Sequence, residues 1–207
     1  MIPDATPGPE MPAQALGRQW APARFELNLP NAITLARLIA VPITIWLILD
    51  ERYGSAFWLF VAAGISDALD GYIAKRFDLR TRLGAVLDPV ADKALLAGVY
   101  LSLGWSGMLP AGLVILVVLR DALIVAGYLL VQRSAEPAQT QPLYISKINT
   151  AVQIALIGFV LARLGLGADG GSATGIMIAL AAITTVWSGF AYLLRWARLL
   201  AATGRRL

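Results

Sequence analysis

Neither cysteine nor histidine occurs in the 207 residues of this chain. The first absence removes disulfides, thiolate metal sites and cysteine nucleophiles. The second removes the commonest general base near neutral pH and the commonest transition-metal ligand. Acid–base work is left to Asp, Glu, Lys or Tyr, and any metal must accept hard oxygen donors, as Mg²⁺, Mn²⁺ and Ca²⁺ do. Charge is scarce as well: 14% of residues are charged and 58% are hydrophobic. Soluble domains carry about 25% charged residues, so this is the composition of an integral membrane protein.

What the chain does contain is long apolar runs. A bilayer core takes about 20 apolar residues per helix, and six stretches qualify, near 31–50, 54–74, 84–104, 108–132, 147–166 and 173–197. They predict an all-α membrane protein of six transmembrane helices within a domain spanning residues 28–207. Residues 1–27 form a separate segment with Pro3, Pro7, Pro9, Pro12 and Pro22 and no apolar run. That segment does not read as a signal peptide. It reads as disordered to about residue 15, and beyond that as either a solvated tail or a surface-lying stretch with Trp20 and Phe25 at the headgroups.

Six spans return both termini to one side, and the distribution of Lys and Arg names the side. Twelve of these residues fall on the termini and even-numbered connections, among them Lys75, Arg76, Arg80, Arg82, Arg133 and Lys147, while Arg52 and Arg163 alone fall opposite. Both termini and the 75–83 loop are therefore expected in the cytoplasm. The net charge of +4 follows topology, and nothing in it points to nucleic acid.

Four carboxylates interrupt the second and third runs: Asp67 and Asp70, then Asp88 and Asp92. Charge at membrane depth is costly and marks function by default. Spacings of three and four residues put each pair on one helix face. If the two helices form an antiparallel hairpin, Asp67 falls level with Asp92 and Asp70 with Asp88. Such a cluster repels itself unless cations sit among the oxygens, and two divalent ions would balance four carboxylates. Paired metals are a common clamp for phosphoryl displacement. The small residues Gly71, Ala74 and Gly84 either let a ligand approach the backbone or serve helix packing. A cation transporter is the reading from another class, but it places its carboxylates near the bilayer centre on broken helices. Here they crowd one end beside a basic loop.

The run Asp67-x₂-Asp70-Gly71-x₂-Ala74-Lys75-x₈-Gly84-x₃-Asp88-x₃-Asp92 resembles the signature of the CDP-alcohol phosphotransferases at every position but one. Lys75 stands where that family usually has arginine, a point charge in place of a bidentate fork. The resemblance implies that Asp67, Asp70, Asp88 and Asp92 bind two Mg²⁺ or Mn²⁺ ions, with Asp92 also the general base. It implies that Gly71, Ala74, Lys75 and Gly84 line the CDP site, and that the donor is CDP-diacylglycerol, with CMP released.

Asn28-Leu-Pro-Asn-Ala-Ile-Thr-Leu-Ala-Arg37 resembles the start of the branch that makes phosphatidylglycerophosphate or cardiolipin. Ile145-Ser-Lys-Ile-Asn-Thr-Ala-Val-Gln153 is similar to a stretch of the mitochondrial-type, CMP-forming cardiolipin synthases. The implied acceptor is phosphatidylglycerol, with glycerol 3-phosphate as the alternative. Lys147 and Arg120 are the cations left to bind it. The family also implies a homodimer; the expected setting is a bacterial inner membrane, with the active site on the cytoplasmic side that the charge distribution indicates.

Overall fold

The computed structural model describes residues 29–76, 82–132, 143–167 and 171–203, and the side chains within 32–69, 90–127, 143–167 and 171–198. Six helices account for nearly all of it: α1 Leu29–Leu49, α2 Tyr53–Arg76, α3 Arg82–Trp105, α4 Ala111–Gln132, α5 Tyr144–Leu166 and α6 Gly171–Thr203. Apolar runs of this length become helices because a bilayer offers the backbone no outside hydrogen-bond partner. Some of the hydroxyls they carry are satisfied on their own helix: Thr44 donates to the Ala40 carbonyl at 2.7 Å and Ser66 to Ala62 at 2.8 Å.

Each helix matches an expected run, with shifted ends. α4 begins after Pro110, whose carbonyl accepts from the Leu113 amide at 3.0 Å. The turn before it closes on the Leu103 carbonyl through Met108 and Leu109, and Gly107 takes φ 72° there. α5 starts three residues earlier than expected, with the Ser146 amide on the Leu143 carbonyl at 2.9 Å. Lys75 and Arg76 close α2 and Arg82 opens α3, so part of the basic loop is helical. The 1–27 segment lies outside the described residues.

The helices form a ring in the order α1, α2, α5, α6, α4, α3. α1 packs on α3 most extensively, and the α3–α4 seam is the thinnest. The buried interior is built from Tyr100, Val99, Leu103, Leu156, Ile157 and Leu161, which join α3 to α5 across the ring. Expected pairing fails at one point: among the described residues α2 and α3 do not pack on each other, because α1 lies against both. Gly98 permits this. A Cβ on it would sit 2.8 Å from Ile45 Cδ1 of α1. A gap is left between α2 and α3.

Among the described residues three helices are long and apolar enough to cross a bilayer, over Ala32–Leu49, Tyr144–Leu166 and Gly171–Arg198. The apolar part of α2 is shorter, Tyr53–Leu69. Large apolar side chains such as Trp58, Ile183, Trp187 and Phe190 point outward, as a lipid-facing surface requires.

Backbones meet where α5 crosses the start of α2. A Cβ on Gly165 would collide with the Gly54 backbone and come within 2.6 Å of the Tyr53 carbonyl carbon. Neither neighbour can yield as a flexible side chain would. Gly165→Ala is expected to destabilise the protein by about 1–3 kcal/mol, the usual cost of overpacking. Gly175→Ala, where a Cβ meets nothing within 4 Å, should leave the unfolding temperature in detergent unchanged.

Candidate functional site

The gap between α2 and α3 is a cavity of about 560 Å³, floored by Arg37 of α1 and walled on its open side by α5. Its two ends differ. At one are Asp67, Asp92, Arg37 and Thr150; toward the other run Phe60, Leu95 and Ile154. Each wall follows helical spacing: Asp67, Gly64 and Phe60 on α2, and Thr150, Ile154 and Gly158 on α5. A charged head with an apolar shaft suits an amphiphile.

The head is organised by one guanidinium. Arg37 Nη1 lies 3.0 Å from Asp67 Oδ1 and 2.9 Å from Asp92 Oδ1. The arginine side chain is 2% exposed, whereas the aspartates remain 48% and 40% exposed toward the cavity. Two carboxylates from different helices thus meet at one cation, their oxygens within about 6 Å of each other. The expected level pairing of Asp67 with Asp92 is what the structure displays, though through α1 and not across a direct α2–α3 contact. In the sequence Arg37 stands only as the last residue of the stretch that resembles the phosphatidylglycerophosphate and cardiolipin branch; its place inside the apolar run 31–50 was the available signal.

Asp70 lies three residues beyond Asp67 on α2, and Asp88 four before Asp92 on α3. Their side chains fall outside the described residues, as do those of Gly71, Ala74, Lys75 and Gly84. Among the described residues no three carboxylates gather into a metal site. The donor set nonetheless fits a hard divalent cation. It is all carboxylate oxygen, and two of its members already converge on a positive charge.

The comparisons with known proteins bear on this geometry. The family model for CDP-alcohol phosphatidyltransferase matches residues 27–187. The chain belongs to that family. It is 31% identical over 202 residues to the cardiolipin synthase (CMP-forming) of Homo sapiens, covering 87% of this chain and 67% of that protein. It is also 31% identical over 182 residues to the CDP-diacylglycerol–glycerol-3-phosphate 3-phosphatidyltransferase of Rickettsia bellii, covering 82% of this chain and 95% of that protein. A cardiolipin synthase (CMP-forming) of Streptomyces coelicolor is 32% identical over 117 residues, 54% of each chain. As a CDP-alcohol phosphatidyltransferase, the chain is a transferase of phospholipid biosynthesis.

The residues expected on the acceptor side separate. Arg120 of α4 is buried and lines neither this cavity nor its neighbour. Its Nε and Nη2 donate to Ser188 Oγ of α6 at 3.1 and 2.6 Å, Nη2 also to Ser146 Oγ of α5 at 2.5 Å, and Nη1 to Asp121 at 2.6 Å. Asp121 in turn holds Lys93 Nζ at 3.4 Å, beside a second cavity of about 460 Å³ between α3 and α4. Arg120 therefore ties three helices together.

Most of the Ser146–Gln153 stretch is likewise used for packing. Asn149 Oδ1 accepts from Thr184 and Thr185 of α6, both at 2.9 Å, and Gln153 Nε2 donates to Thr185 at 3.2 Å. Lys147 is different. It is exposed, and it stands one turn before Thr150 on the face of α5 that lines the cavity with the aspartates.

Replacing Arg120 by methionine keeps the volume and removes the donor from buried Ser188 and from Ser146, while Asp121 keeps Lys93. It is expected to lower stability by about 1–3 kcal/mol, the cost of leaving a buried partner unpaired. Thermal unfolding in detergent measures it. An unchanged unfolding temperature with a raised acceptor KM would instead make Arg120 a direct acceptor contact.

Proposed function

We propose that this chain transfers the phosphatidyl group of CDP-diacylglycerol to phosphatidylglycerol, forming cardiolipin and CMP. The observation that carries the reading is the Asp67–Arg37–Asp92 cluster at the head of an apolar cavity. A reaction between two amphiphiles needs charge for the diphosphate and hydrocarbon for the chains, and the cavity offers both.

Asp67, Asp70, Asp88 and Asp92 hold two Mg²⁺ or Mn²⁺ ions. When bound, these supply positive charge to the diphosphate and orient it for in-line displacement. Gly71, Ala74 and Gly84 leave room for the cytidine diphosphate, and Lys75 adds a point charge beside it. The acceptor hydroxyl oxygen forms a bond to the phosphorus that carries diacylglycerol. Its proton passes to the Asp92 carboxylate, the best placed base in a chain without histidine. The bond from that phosphorus to the bridging oxygen breaks, and CMP leaves with the electron pair. Lys147, free on the cavity face, receives the acceptor's phosphate, with Arg120 acting behind it through Ser146.

All six helices span the membrane in this reading. The twelve-to-two distribution of basic residues supports cytoplasmic termini and a cytoplasmic site. The setting is the inner membrane of a bacterium, with the protein as a homodimer.

Glycerol 3-phosphate is the second acceptor worth testing, because the Rickettsia bellii enzyme is matched over 95% of its length. Purified protein in phosphatidylglycerol vesicles, given labelled CDP-diacylglycerol, is expected to make cardiolipin, and to stop in chelator. Phosphatidylglycerophosphate formed from glycerol 3-phosphate alone would move the chain to the sister activity. Asp92→Asn should retain CDP-diacylglycerol binding and lose turnover by about 10²–10⁴-fold, the range of general base catalysis; full activity would remove Asp92 from that role. Lys147→Ala should raise KM for phosphatidylglycerol far more than KM for CDP-diacylglycerol. An equal effect on both would place Lys147 outside the acceptor site.

A further inference from the structure

Arg37 is a full positive charge, almost wholly buried, standing where its Nη1 touches one oxygen of Asp67 and one of Asp92. These two contacts are to carboxylates that a divalent cation would need. A cation and a guanidinium cannot each hold those oxygens at full strength. A cation that takes those oxygens removes two of the anions beside the buried guanidinium, and weakened compensation of an interior charge is unfavourable. Another anion within reach would restore it, and Arg37 already lines the cavity in which the substrate's diphosphate belongs.

We propose that Arg37 is an exchangeable counter-ion. Without substrate it neutralises Asp67 and Asp92. When a divalent cation takes those oxygens, its planar fork turns to the nucleoside diphosphate. The diphosphate half of this inference rests on the phosphatidyltransferase reading. The fork also answers a local deficit, since Lys75 offers the diphosphate a point charge where a guanidinium would bind bidentately. The consequence is thermodynamic. Arg37 opposes cation binding when no diphosphate is present and ceases to oppose it once diphosphate arrives. Cation and nucleotide are therefore coupled through this side chain, and by linkage each strengthens the other equally.

The test uses the full chain in detergent, with Mn²⁺ binding followed by the resonance of the free ion and CDP binding followed by calorimetry. Without nucleotide, Arg37→Gln is expected to bind Mn²⁺ about tenfold more tightly than the parent, a difference of about 1.4 kcal/mol. In saturating CDP that advantage should disappear. Equal or weaker Mn²⁺ binding by the variant without CDP would overturn the exchange. Arg37→Lys keeps the charge that folding requires and loses the fork. It should bind CDP about tenfold more weakly at saturating Mn²⁺, and this comparison decides the matter if the glutamine variant does not fold. Unchanged CDP affinity in the lysine variant would overturn the role toward diphosphate. Absence of phosphatidyl transfer to any acceptor by the parent would sink the enzymatic reading while leaving the Mn²⁺ comparison meaningful. Normal transfer with equal affinities would sink Arg37 alone.

Discussion

Among the described residues three charges from three helices meet at the head of a largely apolar cavity, and much of the architecture follows from accommodating them. Arg37 of α1 can reach Asp67 of α2 and Asp92 of α3 because α1 lies between those helices. α1 can lie there because Gly98 admits Val41 and Ile45 of α1 to the α3 surface. Separating α2 from α3 in this way opens the cavity. The same wedge that neutralises the aspartates therefore makes the space in which they act. Asp67 and Asp92 keep much of their surface toward that space while the arginine is sealed behind them. The carboxylates face the cavity and the guanidinium faces the protein.

The far half of the ring does different work. α4, α5 and α6 are held by buried polar bonds: Arg120 to Ser146 and Ser188, and Asn149 and Gln153 to the threonines of α6. Between helices in lipid, apolar surface gives no preference for one partner over another, so packing and interhelical hydrogen bonds supply the specificity. These bonds fix α5, and α5 carries Thr150, Ile154 and Gly158 into the cavity wall. Rigidity on one side of the ring thus supports shape on the other.

Helix number and approximate ends were legible in the sequence because apolar length is a strong local signal, and its exceptions were local too. Pro110 delayed α4, and the last helix ran on to Thr203 past its basic residues. The level placement of Asp67 and Asp92 was legible because helix register is arithmetic. The interposed α1 was not, since nothing in either helix's own sequence says which third helix separates them. Arg37 was visible as an oddity and unreadable as a partner for the same reason. Ser146, Asn149 and Gln153 show a different limit. Polar residues in a span serve substrate or packing, and here they bond helix to helix. Lys147, without such a bond and on the cavity face, is what remains of that segment for the acceptor.

The account turns on whether the carboxylates that Arg37 now bridges are the ones that hold the cation. Diffraction from the protein with Mn²⁺ and CDP, using the anomalous signal of manganese, measures this directly. The account predicts a peak within about 2.0–2.3 Å of Asp67 and Asp92 oxygens, the range of hard-cation coordination, with the Arg37 guanidinium turned to the diphosphate. Manganese bound elsewhere, or Arg37 still bridging both aspartates beside bound CDP, would contradict it.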